Sequence, residues 1–329
     1  MPVVELSHVR KVYDTKVAVD DLSIVIEPGT MFGLLGPNGS GKTSSIRMMI
    51  GITVPDSGTV SLFGKPFSRK MLASVGYLPE ERGLYKKMNV LEQLVFLGRL
   101  HYLSASLATS RAKEWARRLQ IAEALGKKTE DLSKGMQQKI QFIAALLHDP
   151  ELIIMDEPFS GLDPVNAALL MDTLAELRQE GKTILFSTHR MDQVEKMCDN
   201  IALIHGGKLV LSGSMAAIKS KYPRNRVHIT FEGDDGFLRD RRVEKVRRFG
   251  GQAEIVLRSS ETPDEDAQAL LIEALARGRV TRFEVTQPTL EDIFIEKVRE
   301  TLPGVPGLSL EAVAEVEAPV EPEGSYLNA

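Results

Sequence analysis

The chain has 329 residues, 43% of them hydrophobic and 26% charged, and a formal net charge of −4. That length points to about two domains, the composition to a soluble globular fold, and the small negative charge gives no overall field for nucleic acid or anionic lipid. The single cysteine, Cys198, excludes an intramolecular disulfide framework and a cysteine-rich zinc site, and fits a reducing compartment.

The opening MPVVELSHVRKVYD has no basic stretch followed by an apolar run, so no secretory signal is expected. No segment approaches the roughly 18 apolar residues of a membrane span. The expectation is a cytosolic protein, attached to a membrane only through something else. In chain order, residues 3–12 and 18–26 alternate and are rich in β-branched side chains, which predicts strands. Residues 31–35 are an apolar run that reads as a buried strand, 44–50 open a helix, and 59–63 form another short strand. Residues 89–125 carry a helical pattern, and a second helix runs over 133–148 until Pro150. Residues 152–155 and 183–187 are short apolar strands, 166–180 and 190–198 helices. Gly206-Gly207 between 201–205 and 208–211 signals a hairpin.

Composition shifts near Tyr222-Pro223. Beyond it the reading is strand 226–232, helix 236–249, strand 253–257, helix 264–277, strand 280–286 and helix 290–299. The basic run from Arg239 to Arg248 is interrupted by Asp240 and Glu244 and reads as a solvated helix face. After Arg299 there is no Lys or Arg, and the Glu, Pro, Ala and Val of the tail cannot bury a core. The predicted organisation is an α/β domain over 1–221 with a mixed, substantially parallel sheet and a helical insert at about 84–150. A small α+β domain over 222–300 and a disordered acidic tail over 301–329 follow.

Gly36, Pro37, Asn38, Gly39, Ser40, Gly41, Lys42 and Thr43 fit the pattern G-x-x-x-x-G-K-[ST] between a predicted strand and a predicted helix. The glycines let successive N–H groups turn toward one phosphate, and the helix beginning near Ser44 adds the positive end of its dipole. Lys42 is expected to reach the β- and γ-phosphates, and Thr43 to hold Mg²⁺. Downstream, LIIMDE is an apolar strand that ends in two carboxylates. Asp156 is the candidate for the Mg²⁺ shell, and Glu157 the candidate acceptor of a proton from attacking water. Ser133, Gly135 and Met136 sit at a predicted helix start, where a hydroxyl, free N–H groups and a dipole end come together.

Taken in order, these motifs resemble ATP-binding cassette (ABC) ATPase subunits over about residues 1–220. LSKGMQ resembles the family's LSGGQ signature, with Lys134 and Met136 departing from the commonest form. By the same resemblance, Tyr13 is where an aromatic stacks on adenine, Ser160-Gly161-Leu162-Asp163 corresponds to the loop contacting the facing subunit, and His189 to the switch histidine sensing the γ-phosphate. The nucleotide-binding set implied is Tyr13, residues 36–44, Glu80, Ser133, Gly135, Met136 and Asp163. Lys42, Glu157 and His189 are catalytic, and Thr43, Asp156 and Glu80 hold Mg²⁺. In Gly76-Tyr77-Leu78-Pro79-Glu80-Glu81 the family usually has Gln at the position of Glu80, so altered metal preference or slower turnover is expected.

The resemblance also implies ATP with Mg²⁺ and head-to-tail dimerisation with a second copy or a paralogous cassette. A separate permease would dock against the helical insert and the 76–85 loop, and the cassette would lie on the inner face of the membrane. YLPEERGLY and the PTLEDIF segment are similar to bacterial exporter ATPases of the sodium-extrusion (NatA-like) and multidrug-efflux groups. The competing reading is a soluble, non-transport ABC ATPase acting on nucleic acid or ribosomes. The single cassette, the short gap between motifs and the lone cysteine weigh against it, and no direct nucleic acid binding is expected.

Overall fold

The structure is a computed structural model that describes residues 1–81, 83–258 and 262–301. The acidic segment expected to be disordered lies, from residue 302 on, outside the described residues. Along the chain, β1 (Val4–Tyr13), β2 (Lys16–Ile26) and β3 (Met31–Leu35) lead into α1 (Lys42–Met49). Then come β4 (Ser57–Leu62), β5 (Lys65–Pro66) and β6 (Val75–Leu78). Three helices follow, α2 (Val90–Leu100), α3 (Ala105–Arg118) and α4 (Lys134–Leu146). The next elements are β7 (Leu152–Asp156), α5 (Pro164–Gln179), β8 (Thr183–Thr188), α6 (Met191–Met197), β9 (Asn200–His205) and β10 (Lys208–Ser214). The remainder is α7 (Met215–Lys219), β11 (Arg226–Gly233), β12 (Val243–Phe249), β13 (Gln252–Leu257), α8 (Pro263–Arg277), β14 (Gly278–Thr286) and α9 (Leu290–Thr301).

Two compact units result among the described residues, Met1–Ser212 together with Lys297–Thr301, and Gly213–Glu296. In the first, a four-stranded sheet of order β2-β1-β4-β5 is antiparallel, and a six-stranded sheet has the order β10-β9-β3-β8-β7-β6. The β9-β3-β8-β7-β6 portion is parallel. Its central strands, β3, β7 and β8, are buried along their whole length, as strands covered on both faces must be. Ile46, Met48 and Met49 of α1 pack in one core with Val4, Leu6 and Ile24 of the antiparallel sheet and Phe32, Leu34, Ile154 and Leu185 of the parallel one. The helix that follows the glycine-rich loop is therefore clamped between two sheets.

The three helices of the insert start where capping chemistry dictates. Asn89, Ser104 and Ser133 each accept a hydrogen bond from a backbone N–H in the first turn of α2, α3 and α4. The helical pattern over 89–125 is broken in two, because Tyr102 turns back at φ 64° and Ser104 caps a new start.

The second unit is an antiparallel sheet of order β12-β13-β11-β14. Val227, Ile229, Ile255 and Leu257 share its core with Ala267, Leu270 and Ala274 of α8. The helix expected over 236–249 is not there. A 3₁₀ turn covers Gly236–Arg239, and β12 follows, paired to β13. Asp240 ends the turn, since its carboxylate accepts from the Arg242 backbone N–H (2.8 Å) and from the Arg242 guanidinium (2.6 Å). The basic run thus lies on a turn and an exposed edge strand rather than on a helix face. Thr289 and Asp292 form a reciprocal cap at the start of α9, with Thr289 N–H donating to Asp292 Oδ2 (3.0 Å) and Asp292 N–H to Thr289 Oγ1 (3.1 Å).

Candidate functional site

The candidate site is built just past the ends of three adjacent parallel strands. Leu35 at the end of β3 lies beside Thr188 at the end of β8, and Asp156 at the end of β7 lies beside Ser187. Gly36, Glu157 and His189 therefore leave the sheet side by side, at the carboxyl end where open α/β sheets bind ligands.

The loop from Gly36 to Gly41 needs its glycines. Gly36 has φ 152° and Gly41 φ 107°, and a Cβ on Gly36 would stand 2.1 Å from the Ile204 carbonyl oxygen. One on Gly41 would stand 2.5 Å from the Ala18 carbonyl oxygen. Both obstacles are backbone and cannot swing aside. Gly41→Ala is expected to cost about 2 kcal/mol or more, lowering Tm by about 4 °C or more; a thermal melt and a nucleotide-binding titration check it. An unchanged melt would mean that the turn relaxes easily.

Lys42 is buried and donates from Nζ to the Gly36 (2.8 Å) and Pro37 (3.0 Å) carbonyl oxygens. Burial lowers its pKa, opposed by the charges of Glu157, Asp156 and Glu80. Those three carboxylates and the ammonium thus form one electrostatic group. Asp156 is 1% exposed; its Oδ1 accepts from the Ser187 hydroxyl, and its Oδ2 is buried without a partner among the described residues. A buried carboxylate oxygen with nothing to accept from is suited to a cation. Thr43 is half-buried on the first turn of α1.

Glu157 has φ 49°, an uncommon backbone for this residue type. Its N–H donates to the Ser187 carbonyl (3.1 Å), which ties it to β8. The Thr188 hydroxyl donates to Oε2 (3.2 Å), and the His189 backbone N–H to Oε1 (3.1 Å). His189 Nδ1 also lies 2.9 Å from Oε1. Glu80 is exposed on the loop after β6. Its pKa is raised, first by partial burial and then by Asp156 and Glu157, with Lys42 acting the other way.

Other predicted residues lie elsewhere in the unit. Tyr13, 40% exposed at the end of β1, has the Lys11 ammonium 5.6 Å from its ring centroid and its hydroxyl 3.5 Å from Thr53 Oγ1. Lys11 is held there by Asp56 (2.7 Å). Ser133, Gly135, Met136 and Asp163 share a concavity of about 490 Å³ with Lys134 and Asn166, and no residue of the glycine-rich loop borders it. Ser133 Oγ accepts from the Met136 N–H (3.2 Å), and Gln137 pins the preceding turn through the Thr129 and Leu132 carbonyls (3.1 Å each).

Sequence reading missed two further features. Gln138 and Gln141, buried on α4, donate to the Pro158 carbonyl (3.0 Å) and the Glu81 carbonyl (3.3 Å). Separately, Tyr85, Lys86, Lys87, Met88 and Phe96 line a concavity of about 590 Å³. Tyr85 (56% exposed) and Phe96 (41% exposed) meet there edge to face, with ring centroids 6.1 Å apart.

Comparisons with known proteins agree with this geometry. A family model described as "ABC transporter" matches residues 19–160, and one described as "ATP-binding protein DrrA1-3-like, C-terminal domain" matches 213–298. The chain is 42% identical over 294 residues to the uncharacterized ABC transporter ATP-binding protein YhaQ of Bacillus subtilis (strain 168), covering 89% of this chain and 97% of that one. It is 33% identical over 302 residues to a Nod factor export ATP-binding protein I of Burkholderia lata, covering 90% and 97%. A solved ATP-binding subunit of an ABC transporter superposes with a TM-score of 0.61 at 30% identity, over 67% of this chain and 92% of that one.

Proposed function

The chain belongs to the family of ABC transporter ATP-binding proteins, and from that membership we propose that it powers an exporter whose membrane-spanning permease is a separate polypeptide. Members of this family are ATPases, and this chain is an ATP-binding, ATP-hydrolysing subunit. The observation that carries the mechanism is the convergence of Lys42, Asp156, Glu157 and His189 at the ends of three neighbouring strands.

Lys42 leaves the Gly36 and Pro37 carbonyls for the β- and γ-phosphates when ATP arrives, while backbone N–H groups of the loop, Pro37 having none, turn to the phosphate chain. Thr43 and the open Oδ2 of Asp156 would hold Mg²⁺, with Glu80 beside them. That ion supplies charge neutralisation on the phosphates. Glu157 takes the proton of the water that attacks the γ-phosphorus. His189 and Thr188 aim its carboxylate, and we assign to the His189 ring the sensing of the γ-phosphate. Tyr13 stacks on the adenine, a contact of about 1–3 kcal/mol in related cases.

Ser133, Gly135, Met136 and Asp163 serve the ATP of a facing cassette, a second copy or a paralogue, in a head-to-tail dimer. Their concavity, separate from the glycine-rich loop, supports this. ATP then closes the dimer through contacts that hydrolysis removes. We assign the motor to residues 1–221 and an accessory role to residues 222–300.

Among the described residues, no helix is long and apolar enough to cross a membrane. The permease docks on the concavity of Tyr85 and Phe96, aromatic anchors ringed by Lys86 and Lys87, and holds the cassette on the inner face of the membrane. The export direction rests on the Burkholderia relative, whose name describes export. Phe96→Asp tests the docking. ATP turnover of the cassette without permease should be unchanged, while affinity for the permease should fall about thirty-fold, as for loss of an interface hot spot. Undiminished binding and stimulation would remove this concavity from the interface.

A further inference from the structure

Helix α4 begins at the signature, with Ser133 as its cap. Two of its glutamines face inward one turn apart. Gln138 Nε2 donates to the carbonyl of Pro158, the residue after Glu157. Gln141 Nε2 donates to the carbonyl of Glu81, the residue after Glu80. Both side chains are buried, at 3% and 5% exposure. An amide at such a position is costly unless it is used, since its transfer out of water must be offset by hydrogen bonds.

Gln141 is not fully satisfied. Its Oε1 is buried with no partner among the described residues. A leucine would fill the place without an orphaned oxygen, so packing alone gives no reason for an amide here. What the amide does is fix the Glu81 peptide to α4. Glu80 is one peptide bond away, and it stands exposed beside Asp156, Glu157 and Lys42.

We propose that Gln141 is a positioning residue for the ATPase reaction, holding Glu80 in place by hydrogen-bonding the Glu81 carbonyl and so tying it to the signature helix. The inference rests on the reading above that Glu80 belongs to the reaction site. A helix whose first residues meet the facing cassette's ATP thereby also fixes a carboxylate at its own. Misplacing a group in the reaction site costs rate rather than ground-state affinity.

The test uses the full chain and steady-state ATP hydrolysis. Gln141→Met keeps the unbranched shape and removes both amide atoms; Gln141→Leu is the second variant should the first fold poorly. The expected result is a kcat about five-fold lower with KM for ATP and the melting temperature unchanged. In a Glu80→Ala background the same substitution should have no further effect. A native kcat in Gln141→Met, or the same loss in both backgrounds, would overturn the proposal. Glu80→Ala alone reports on the underlying assignment: native turnover there would remove Glu80 from the site and the proposal with it, whereas lowered turnover without coupling to Gln141 would leave Glu80 in the site and overturn only the proposal.

Discussion

Replacing Glu157 by glutamine is expected to lower ATP turnover by about a hundred-fold to ten-thousand-fold, the range of a lost general base, while ATP still binds. The reason is local. Glutamine keeps the size of the side chain, so one oxygen can still accept from the Thr188 hydroxyl or from His189. What disappears is the second lone-pair-bearing oxygen and the charge that takes a proton from water. With binding intact and the opening step blocked, the closed state should accumulate. Size-exclusion chromatography with ATP and Mg²⁺ should show the variant at twice the mass of the native chain. His189→Ala should reduce turnover less, because the Thr188 hydroxyl and the His189 backbone N–H both remain. A Glu157→Gln protein that hydrolyses ATP at the native rate would remove Glu157 from the role of base.

Lys42→Ala is expected to lower kcat/KM for ATP by about a hundred- to a thousand-fold, as for a preorganised donor to developing charge. Its Nζ is 2.8 Å from the Gly36 carbonyl and 3.0 Å from that of Pro37, poised on the rim of the loop with three carboxylates in electrostatic reach. Once it is gone, Asp156, Glu157 and Glu80 face the triphosphate without their compensating cation, so binding should weaken as well as chemistry. Lys42→Arg should restore little, because a planar fork does not replace a compact ammonium in a buried slot. Isothermal titration with ATP separates the two effects. Native affinity and native turnover in Lys42→Ala would mean that the loop does not cradle phosphate.

How legible the site was depends on how far its chemistry is local. The glycine-rich loop could be read directly, because positive φ at Gly36 and Gly41 and the neighbouring carbonyls of Ile204 and Ala18 exclude side chains there. The strand ending in Asp156-Glu157 could be read because a doubly covered strand is apolar throughout. The error at 236–249 has a specific origin. The register of β12 against β13 shifts between Val243 and Lys245, so Val243 opposes Leu257 and Val246 opposes Ile255. The irregularity sets two valines, the buried Val243 and the exposed Val246, three residues apart, which is helical spacing in a strand. β6 was not read at all. It is four residues long and contains Gly76, where a Cβ would stand 2.2 Å from the Ala145 carbonyl oxygen. Gln138 and Gln141 were missed for a different reason. Their partners, the carbonyls of Pro158 and Glu81, lie 20 and 60 residues away in sequence, and backbone acceptors leave no mark in the sequence. The signal that existed was two amides three residues apart on the buried side of α4, among Ile140, Phe142 and Ile143.

The central claim is that ATP hydrolysis at this site drives a separate membrane permease. It is tested most directly by isolating the full chain from membranes of its own source and assaying ATP hydrolysis on what is recovered, for the native chain and for Phe96→Asp. The account predicts that a polytopic membrane protein co-purifies with the native chain and stimulates its ATPase, and that Phe96→Asp loses both. Recovery only from the soluble fraction, bound to ribosomes or nucleic acid, would contradict the transport assignment while leaving the chemistry of Lys42 and Glu157 intact.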